Sequence, residues 1–191
     1  MTTTLDELLR RPGTWTLDAD RSSASFRSTS LWGLVKVKGR FTGISGSGSV
    51  GTDGSSGGEL VIDASSVTTG NDKRDTHLRS DDLLQTSSHP QITYRASAAT
   101  ALGPDRATLS GTLTIAGTSQ PLEIEAKVGD IDDGDVTISA SFAVDRSAWG
   151  IGWRKMGMTK MSTPVEVVAR FTPSAVGSAP AGAGPEDVDP V

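Results

Sequence analysis

The sequence predicts an all-β protein folded as a closed antiparallel barrel of about eight strands. Two observations point to this class: apolar and polar residues alternate with period two along most of the chain, and the 191 residues include 22 Gly with only 35% hydrophobic residues. Alternation with one polar face is typical of antiparallel strands, and closure into a barrel removes exposed strand edges. A two-sheet sandwich is the alternative, because alternation alone does not distinguish the two architectures.

The strands are predicted one by one from this alternation. It is clearest where Val136, Ala140 and Val144 share one face while Thr137 and Ser141 share the other. The alternating segments lie near residues 24–30, 35–41, 60–64, 92–98, 108–115, 122–128, 136–144 and 165–171. Short polar or glycine-containing connections separate most of them, as an up-and-down barrel requires.

A helix is predicted between two of these strands, over residues 71–82. Asn71 can cap its N-terminus, and Asp72 lies in the first turn, where the helix dipole favours a carboxylate. Asp75 and Arg79 are four residues apart and can pair on the helix surface. This segment is therefore the polar, charged interruption of an otherwise alternating chain.

A second, shorter helix is predicted near the N-terminus. Thr4 and Glu7 have the spacing of a capping box, and Leu5, Leu8 and Leu9 form a small apolar face. The sequence divides into a leader (residues 1–12), the barrel domain (13–173) and a tail (174–191). The tail is rich in Pro, Ala and Gly and is predicted to be disordered, since it cannot bury enough apolar surface to fold.

Composition narrows the function classes. The formal net charge is −5 with scattered basic residues, so nucleic acid is not an expected partner. With no Cys and two His, neither a metal site nor a cofactor is expected. The N-terminus has no apolar signal region and no stretch is apolar enough to span a membrane, so we expect a cytoplasmic protein.

The predicted inner face carries many small residues. A barrel of about eight strands is either filled by side chains or holds one small ligand. Alanines favour a cavity, whereas Gly39, Gly43 and Gly111 can instead mark kinks in the strands. We expect the cavity to be lined by Phe26, Val37, Phe41, Ala96, Leu113, Ala126, Ala140, Phe142, Trp153 and Met158.

Five blocks of the chain, in order, resemble the YceI family of lipocalin-like, polyisoprenoid-binding proteins. The blocks are GTWTLDADRSSASF from Gly13, VKVKGRFTGISGSG, SSVTTGNDKRDTHLRSDDLL followed by HPQITYRAS, LSGTLTIAGTSQPLEIEA, and FAVDRSAWGI. The third block is the most diagnostic, with its Arg-Asp-x-His-Leu run. The resemblance extends from Gly13 to Phe171.

The resemblance implies a lipocalin-like barrel whose apolar tunnel holds an isoprenoid chain, such as that of an isoprenoid quinone or a polyprenyl phosphate. It also places Arg74 and His77 near a head group, with Asp75 in a structural role. A clamp that fastens the helix to the barrel is the competing interpretation of this cluster. Leu83-Leu84-Gln85 replaces a usual aromatic pair plus Asp, which changes the wall beside the helix.

Three functions are compatible with these observations. The first is a binding or carrier protein for an isoprenoid or similar long apolar lipid. The second is an interaction or stress-related structural module with a filled barrel. The third is a lipid-modifying enzyme, which is the least favoured because Asp75 and His77, two residues apart on a helix, point in different directions. A homodimer through an exposed strand or the leader is left open.

Overall fold

The computed structural model describes residues 5–30, 35–132, 134–151 and 162–174. Within these ranges it has two α-helices, α1 (Leu5–Leu9) and α2 (Asp72–Arg79). The ten strands are β1 (Gly13–Ser30), β2 (Val35–Phe41), β3 (Ile44–Val50), β4 (Ser56–Asp63), β5 (Val67–Thr68), β6 (Gln91–Ala101), β7 (Arg106–Ile115), β8 (Thr118–Asp132), β9 (Asp135–Asp145) and β10 (Ser162–Pro173).

Eight of the strands close into an antiparallel ring, which confirms the predicted barrel over the sandwich. Starting at β1, the ring runs β1–β3–β4–β6–β7–β8–β9–β10 and returns to β1. Pairing of β1 with β10, from Trp15 opposite Pro173 to Phe26 opposite Val165, closes it. β2 and β5 are not members of this ring of eight but extend its wall at one end: β2 pairs with the second half of β1, and β5 pairs with β2.

Two of the glycines on the inner face lie where neighbouring atoms approach closely. At Gly39 a Cβ atom would lie 2.2 Å from Cζ of Phe26, whose ring occupies that space. At Gly111 a Cβ atom would lie 2.3 Å from the carbonyl oxygen of Arg95, beside an irregularity in the β6–β7 pairing. Both positions therefore reflect close approach of neighbouring atoms and add no space to the interior.

The apolar core has two parts, one toward each end of the barrel. The larger cluster includes Ile92, Ile115, Val144, Trp149 and Ile151, and it lies beneath α2 and the turn that follows β9. The smaller cluster joins α1 to the barrel wall, with Leu5 packed among Ala107, Val128 and Val136. The end of β6 and the start of β7 contribute Ala101 and Ala107 to this smaller cluster, whereas α2 comes just before the start of β6. The two helices α1 and α2 therefore lie at opposite ends of the barrel.

The predicted helix at 71–82 is confirmed, although it ends earlier, at Arg79. Asn71 caps its N-terminus as expected, because its Oδ1 accepts the backbone N–H of Arg74 at 3.0 Å. Its C-terminus is determined by Ser80, which has an extended backbone and donates from both its N–H and its Oγ to the carbonyl oxygen of His77. These two bonds satisfy a terminal carbonyl and end the helix.

Several sequence predictions fall outside the described residues. Thr4, which would complete the capping box of α1, is among them, as are Trp153, Met158 and nearly all of the predicted tail. No helix in the described part of the chain is long and apolar enough to cross a membrane.

Candidate functional site

The barrel interior contains an elongated apolar cavity that is partly open to solvent, with a volume of about 350 Å³, within the range of roughly 300–1,000 Å³ typical of ligand pockets. At one end its wall is formed by α1 and Trp15, whose Nε1 donates to the carbonyl oxygen of Gly134 at 3.1 Å. At the other end its wall is formed by Leu78, Leu83 and Leu84, beside Ile151. We call these the α1 end and the α2 end of the cavity.

The structure places most of the predicted cavity residues on this wall. Those that line the cavity are Phe26, Phe41, Ala96, Leu113, Ala140 and Phe142. Val37 and Ala126 are buried, with 6% and 2% of their surface exposed, but neither lines the cavity. Trp153 and Met158 lie outside the described residues, so their role stays a prediction.

Five alanines are part of the cavity wall. Ala24, Ala96, Ala98, Ala140 and Ala169 all contribute to the wall. A methyl group projects far less from a strand than a Leu or Phe side chain does, so these positions leave space where a filled barrel would be packed. Of the alanines predicted to line the cavity, Ala96 and Ala140 lie on this wall and Ala126 does not.

The phenol of Tyr94 is held by the wall itself. Its hydroxyl lies 2.9 Å from the carbonyl oxygen of Leu109 and 3.1 Å from that of Leu122, and it can donate to either. Burial raises the pKa of Tyr94 to about 12, and the negative charge of Glu123 acts in the same direction. Tyr94 therefore stays neutral and presents its ring to the cavity.

Arg74 and Asp75 form a network around Thr69. The buried carboxylate of Asp75 accepts the hydroxyl of Thr69 and also its backbone N–H, the latter at 2.9 Å. Arg74 donates from Nε to the same hydroxyl at 2.7 Å. The Thr69 hydroxyl holds the pKa of Asp75 below its ordinary value, although burial opposes this shift. This arrangement fastens the start of α2 to the end of β5.

Arg79 fastens the other end of the helix. It donates from Nε to the carbonyl oxygen of Ser65 and from Nη2 to that of Val67, both at 2.7 Å. These bonds take the place of the ion pair predicted between Asp75 and Arg79, because the guanidinium points back to the backbone before α2. His77 is exposed, and neither it nor Arg74 lines the cavity. Their predicted head-group role stays a prediction.

Two polar residues missed by the sequence analysis lie at the α2 end of the cavity. Arg146 follows β9 and is half-buried, and burial lowers the pKa of its guanidinium while the neighbouring Asp145 charge opposes that shift. Thr163 lies opposite Val144 on β10 with 8% of its surface exposed. Within the described residues, its Oγ1 has no hydrogen-bond partner.

The strand alternation could have found both residues. Arg146 continues the inner-face series of Phe142 and Val144 by one more step, and Thr163 precedes Val165 and Val167 in the same way. Both residues lie one step beyond the apolar part of their strand, Arg146 after it and Thr163 before it. A series defined by apolar residues alone therefore ends before it reaches them.

A closed antiparallel barrel around an elongated apolar cavity defines the class of this protein. A family model described as "YceI-like domain" matches residues 15–172. The chain belongs to the YceI family, as its sequence blocks indicated. No group of three or more metal-ligating side chains occurs among the residues that the structure describes.

Curated relatives match over part of their length. The protein YceI of Escherichia coli O157:H7 is 39% identical over 75 residues, which cover 39% of this chain and 39% of that protein. A UPF0312 protein of Pseudomonas aeruginosa (strain LESB58) is 40% identical over 76 residues, again 39% of each chain. The aligned segments thus span well under half of these relatives.

Solved structures match over most of the chain. BcnA from Burkholderia cenocepacia has a TM-score of 0.69 and 20% identity, covering 81% of this chain and 98% of that one. A polyisoprenoid-binding domain from Saccharophagus degradans, described as implicated in plant cell wall breakdown, has a TM-score of 0.69 and 21% identity, covering 84% and 98%. At these identities the likeness concerns the fold.

Proposed function

We propose that this protein is a binding or carrier protein that holds a long apolar lipid, such as an isoprenoid, inside its barrel. The observation that carries the proposal is the apolar cavity, which is bounded by α1 at one end and lies beside α2 at the other. Such a shape suits one extended hydrocarbon chain, because burial stabilises each CH₂ group by roughly 0.8 kcal/mol. The polyisoprenoid-binding description of the Saccharophagus degradans domain supports the same ligand class.

The competing functions receive less support. A filled barrel is disfavoured by the alanine-lined space, and catalysis by the arrangement of α2. There, Asp75 is buried and accepts bonds from Thr69, whereas His77 is exposed, so the two do not form a proton relay. An isoprenoid quinone as the ligand, a cytoplasmic location and a homodimer stay predictions of the sequence.

Native mass spectrometry of the full chain, purified without added lipid, tests the carrier function. We expect a bound hydrophobic mass, or its uptake when the protein is incubated with geranylgeraniol. A protein that neither co-purifies with lipid nor takes up geranylgeraniol would contradict the proposal.

Ala140→Phe makes the test specific to the cavity. A phenylalanine here would occupy space inside the barrel, so we expect uptake to fall while the melting temperature stays near that of the wild type. Ser141→Phe is the matched control, because Ser141 is the next residue on β9 and is exposed. If Ala140→Phe unfolds the protein, the interior is already packed, since overpacking costs about 1–3 kcal/mol.

A further inference from the structure

We propose that the α2 end of the cavity binds the anionic head group of the lipid, through the guanidinium of Arg146 and the hydroxyl of Thr163. The inference rests on the proposed carrier function and narrows its ligand class. The expected ligand has a long apolar tail that ends in a phosphate or a carboxylate. Both head groups present the oxygen acceptors that a guanidinium and a hydroxyl bind.

Strand register brings the two residues to the same place. Asp145 and Ser162 are the final pair between β9 and β10, and Val144 and Thr163 are the pair before it. Arg146 follows immediately, two positions after the inward-facing Val144. Arg146 and Thr163 both line the cavity, together with Leu78 and Ile151 at the α2 end.

The charges of the wall favour an anion at this end. Of the wall residues that the structure describes, two carry charge: Glu59 and Arg146. Glu59 accepts a bond from Nε of Arg95 at 2.7 Å and lies away from the α2 end. The guanidinium of Arg146 stays charged at neutral pH beside the neighbouring Asp145 carboxylate, and its attraction for an anion is stronger beside an apolar cavity than in water.

Thr163 gives the second, independent observation. Its Oγ1 is buried and has no hydrogen-bond partner among the described residues. A buried hydroxyl without a partner destabilises the folded state, and such groups in native structures call for a reason. A head-group oxygen in the cavity would accept this hydroxyl, which a purely apolar ligand cannot do.

The turn that carries Arg146 is held by several hydrogen bonds. Asp145 accepts the backbone N–H of Ser147 at 3.0 Å, and the N–H of Ile151 donates to the carbonyl oxygen of Arg146 at 3.0 Å. Trp149, buried under the turn, donates from Nε1 to the carbonyl oxygen of Leu113 at 3.0 Å. A fixed backbone reduces the entropy lost when Arg146 binds a ligand.

Three ligands with the same tail test the proposal: geranylgeranyl phosphate, geranylgeranoic acid and geranylgeraniol. Each is measured by displacement of a fluorescent lipid from the wild type and from Arg146→Gln, Thr163→Val, Arg74→Gln and Arg27→Gln. Arg27 pairs with Glu166 on the outer surface at 3.0 Å and serves as the matched arginine control. Melting temperatures of all variants are recorded beside the affinities.

Arg146→Gln is expected to weaken binding of an anionic ligand roughly tenfold to a hundredfold and that of the alcohol by less than about twofold. Selective loss for the phosphate alone or the carboxylate alone supports the proposal and identifies the head group. Thr163→Val should weaken anion binding while the melting temperature stays unchanged or rises, because the variant removes an unsatisfied buried hydroxyl. If Thr163 had only a structural role, anion affinity would not fall while the melting temperature stayed unchanged or rose.

Several outcomes would overturn the head-group site. If Arg146→Gln lowers the affinity for all three ligands equally, the residue shapes the cavity but does not bind the charged head group. If Arg74→Gln selectively lowers affinity for the anionic ligands and Arg146→Gln does not, the head group binds beside Arg74 on the helix and not beside Arg146. If Arg146→Gln does not fold, Thr163→Val and Arg146→Lys decide the matter. Failure of the wild type to bind any of the three ligands would instead refute the carrier function.

Discussion

At the scale of single residues, Asp75 shows how a charged side chain can be structural in a cluster that resembles a binding site. Its carboxylate accepts two bonds from Thr69, and Arg74 donates to the same threonine. Both charges are therefore used to fasten α2 to the barrel. The competing interpretation made from the sequence, a clamp rather than a head-group site, agrees with these contacts.

Asp75→Asn should destabilise the protein by about 1–3 kcal/mol at pH 7, because an amide replaces a charged acceptor in a buried network. The measurement is urea unfolding followed by circular dichroism. Asp81→Asn, at an exposed position just after α2, is the control and should change stability by less than about 0.5 kcal/mol. Equal effects of the two substitutions would contradict the structural role of Asp75.

The same variant has a predictable pH dependence. The pKa of Asp75 is lowered in the folded protein, mainly by the Thr69 hydroxyl. Its contribution to stability is therefore complete above the unfolded-state pKa of about 3.9 and is lost as the pH falls through the lower folded-state value. The difference in stability between wild type and Asp75→Asn should consequently shrink below about pH 4, and a constant difference down to acid unfolding would argue against it.

At the scale of elements, α1 closes one end of the cavity. Its leucines line the wall, and Leu5 is only 2% exposed within a cluster that includes Val128 and Val136. The helix precedes residue 15, where the family match begins. The α1 end of the cavity is therefore lined partly by residues that lie before the segment matched by the family model.

Leu5→Ala should cost about 2–5 kcal/mol in the free energy of unfolding, as substitutions of fully buried leucines do. Leu102→Ala is the control: Leu102 lies in the neighbouring β6–β7 connection but is 50% exposed, so little change is expected. Urea unfolding measures both. We also expect Leu5→Ala to release a bound fluorescent lipid faster, because the α1 end is then less tightly closed. An unchanged release rate together with unchanged stability would mean that α1 is not part of the wall in solution.

At the scale of the whole molecule, the barrel limits how much of a ligand can be buried. A strand of about 10 residues spans ~33 Å, and a tilt of ~40° leaves a barrel roughly 25 Å tall. An apolar tail gains affinity with each buried group until the cavity is filled. Beyond that length the added groups lie outside or force the tail to bend, and ordering the tail costs entropy.

Affinity should therefore rise from geraniol through farnesol to geranylgeraniol and change little for a longer polyprenol. Displacement of a fluorescent lipid from the full chain gives the four dissociation constants on one scale. The gain in affinity per isoprene unit among the short alcohols measures apolar burial. The chain length at which affinity stops rising measures the length of the cavity. A steady rise through the longest alcohol would indicate a second apolar surface outside the barrel.

Much of the fold follows from local patterns that a sequence shows directly. Period-two alternation determines which face of a strand is apolar, and Asn71 with its following acidic residues determines where α2 begins. The five family blocks identified the family, and the inward alanines at positions such as Ala96 and Ala140 indicated a cavity wall. These features depend on neighbours along the chain, so they do not require knowledge of what lies opposite.

Only the tertiary structure decided which residues meet across the barrel. Closure depends on β1 pairing with β10, whose residues are far apart in sequence, and the α2 network depends on Thr69 reaching both Arg74 and Asp75. Arg146 and Thr163 lie at the ends of two strands, and the β9–β10 register is what brings them together. Ala126, by contrast, shares the inner face but does not line the cavity. Alternation specifies a face, whereas packing in three dimensions decides whether that face contacts another side chain or empty space.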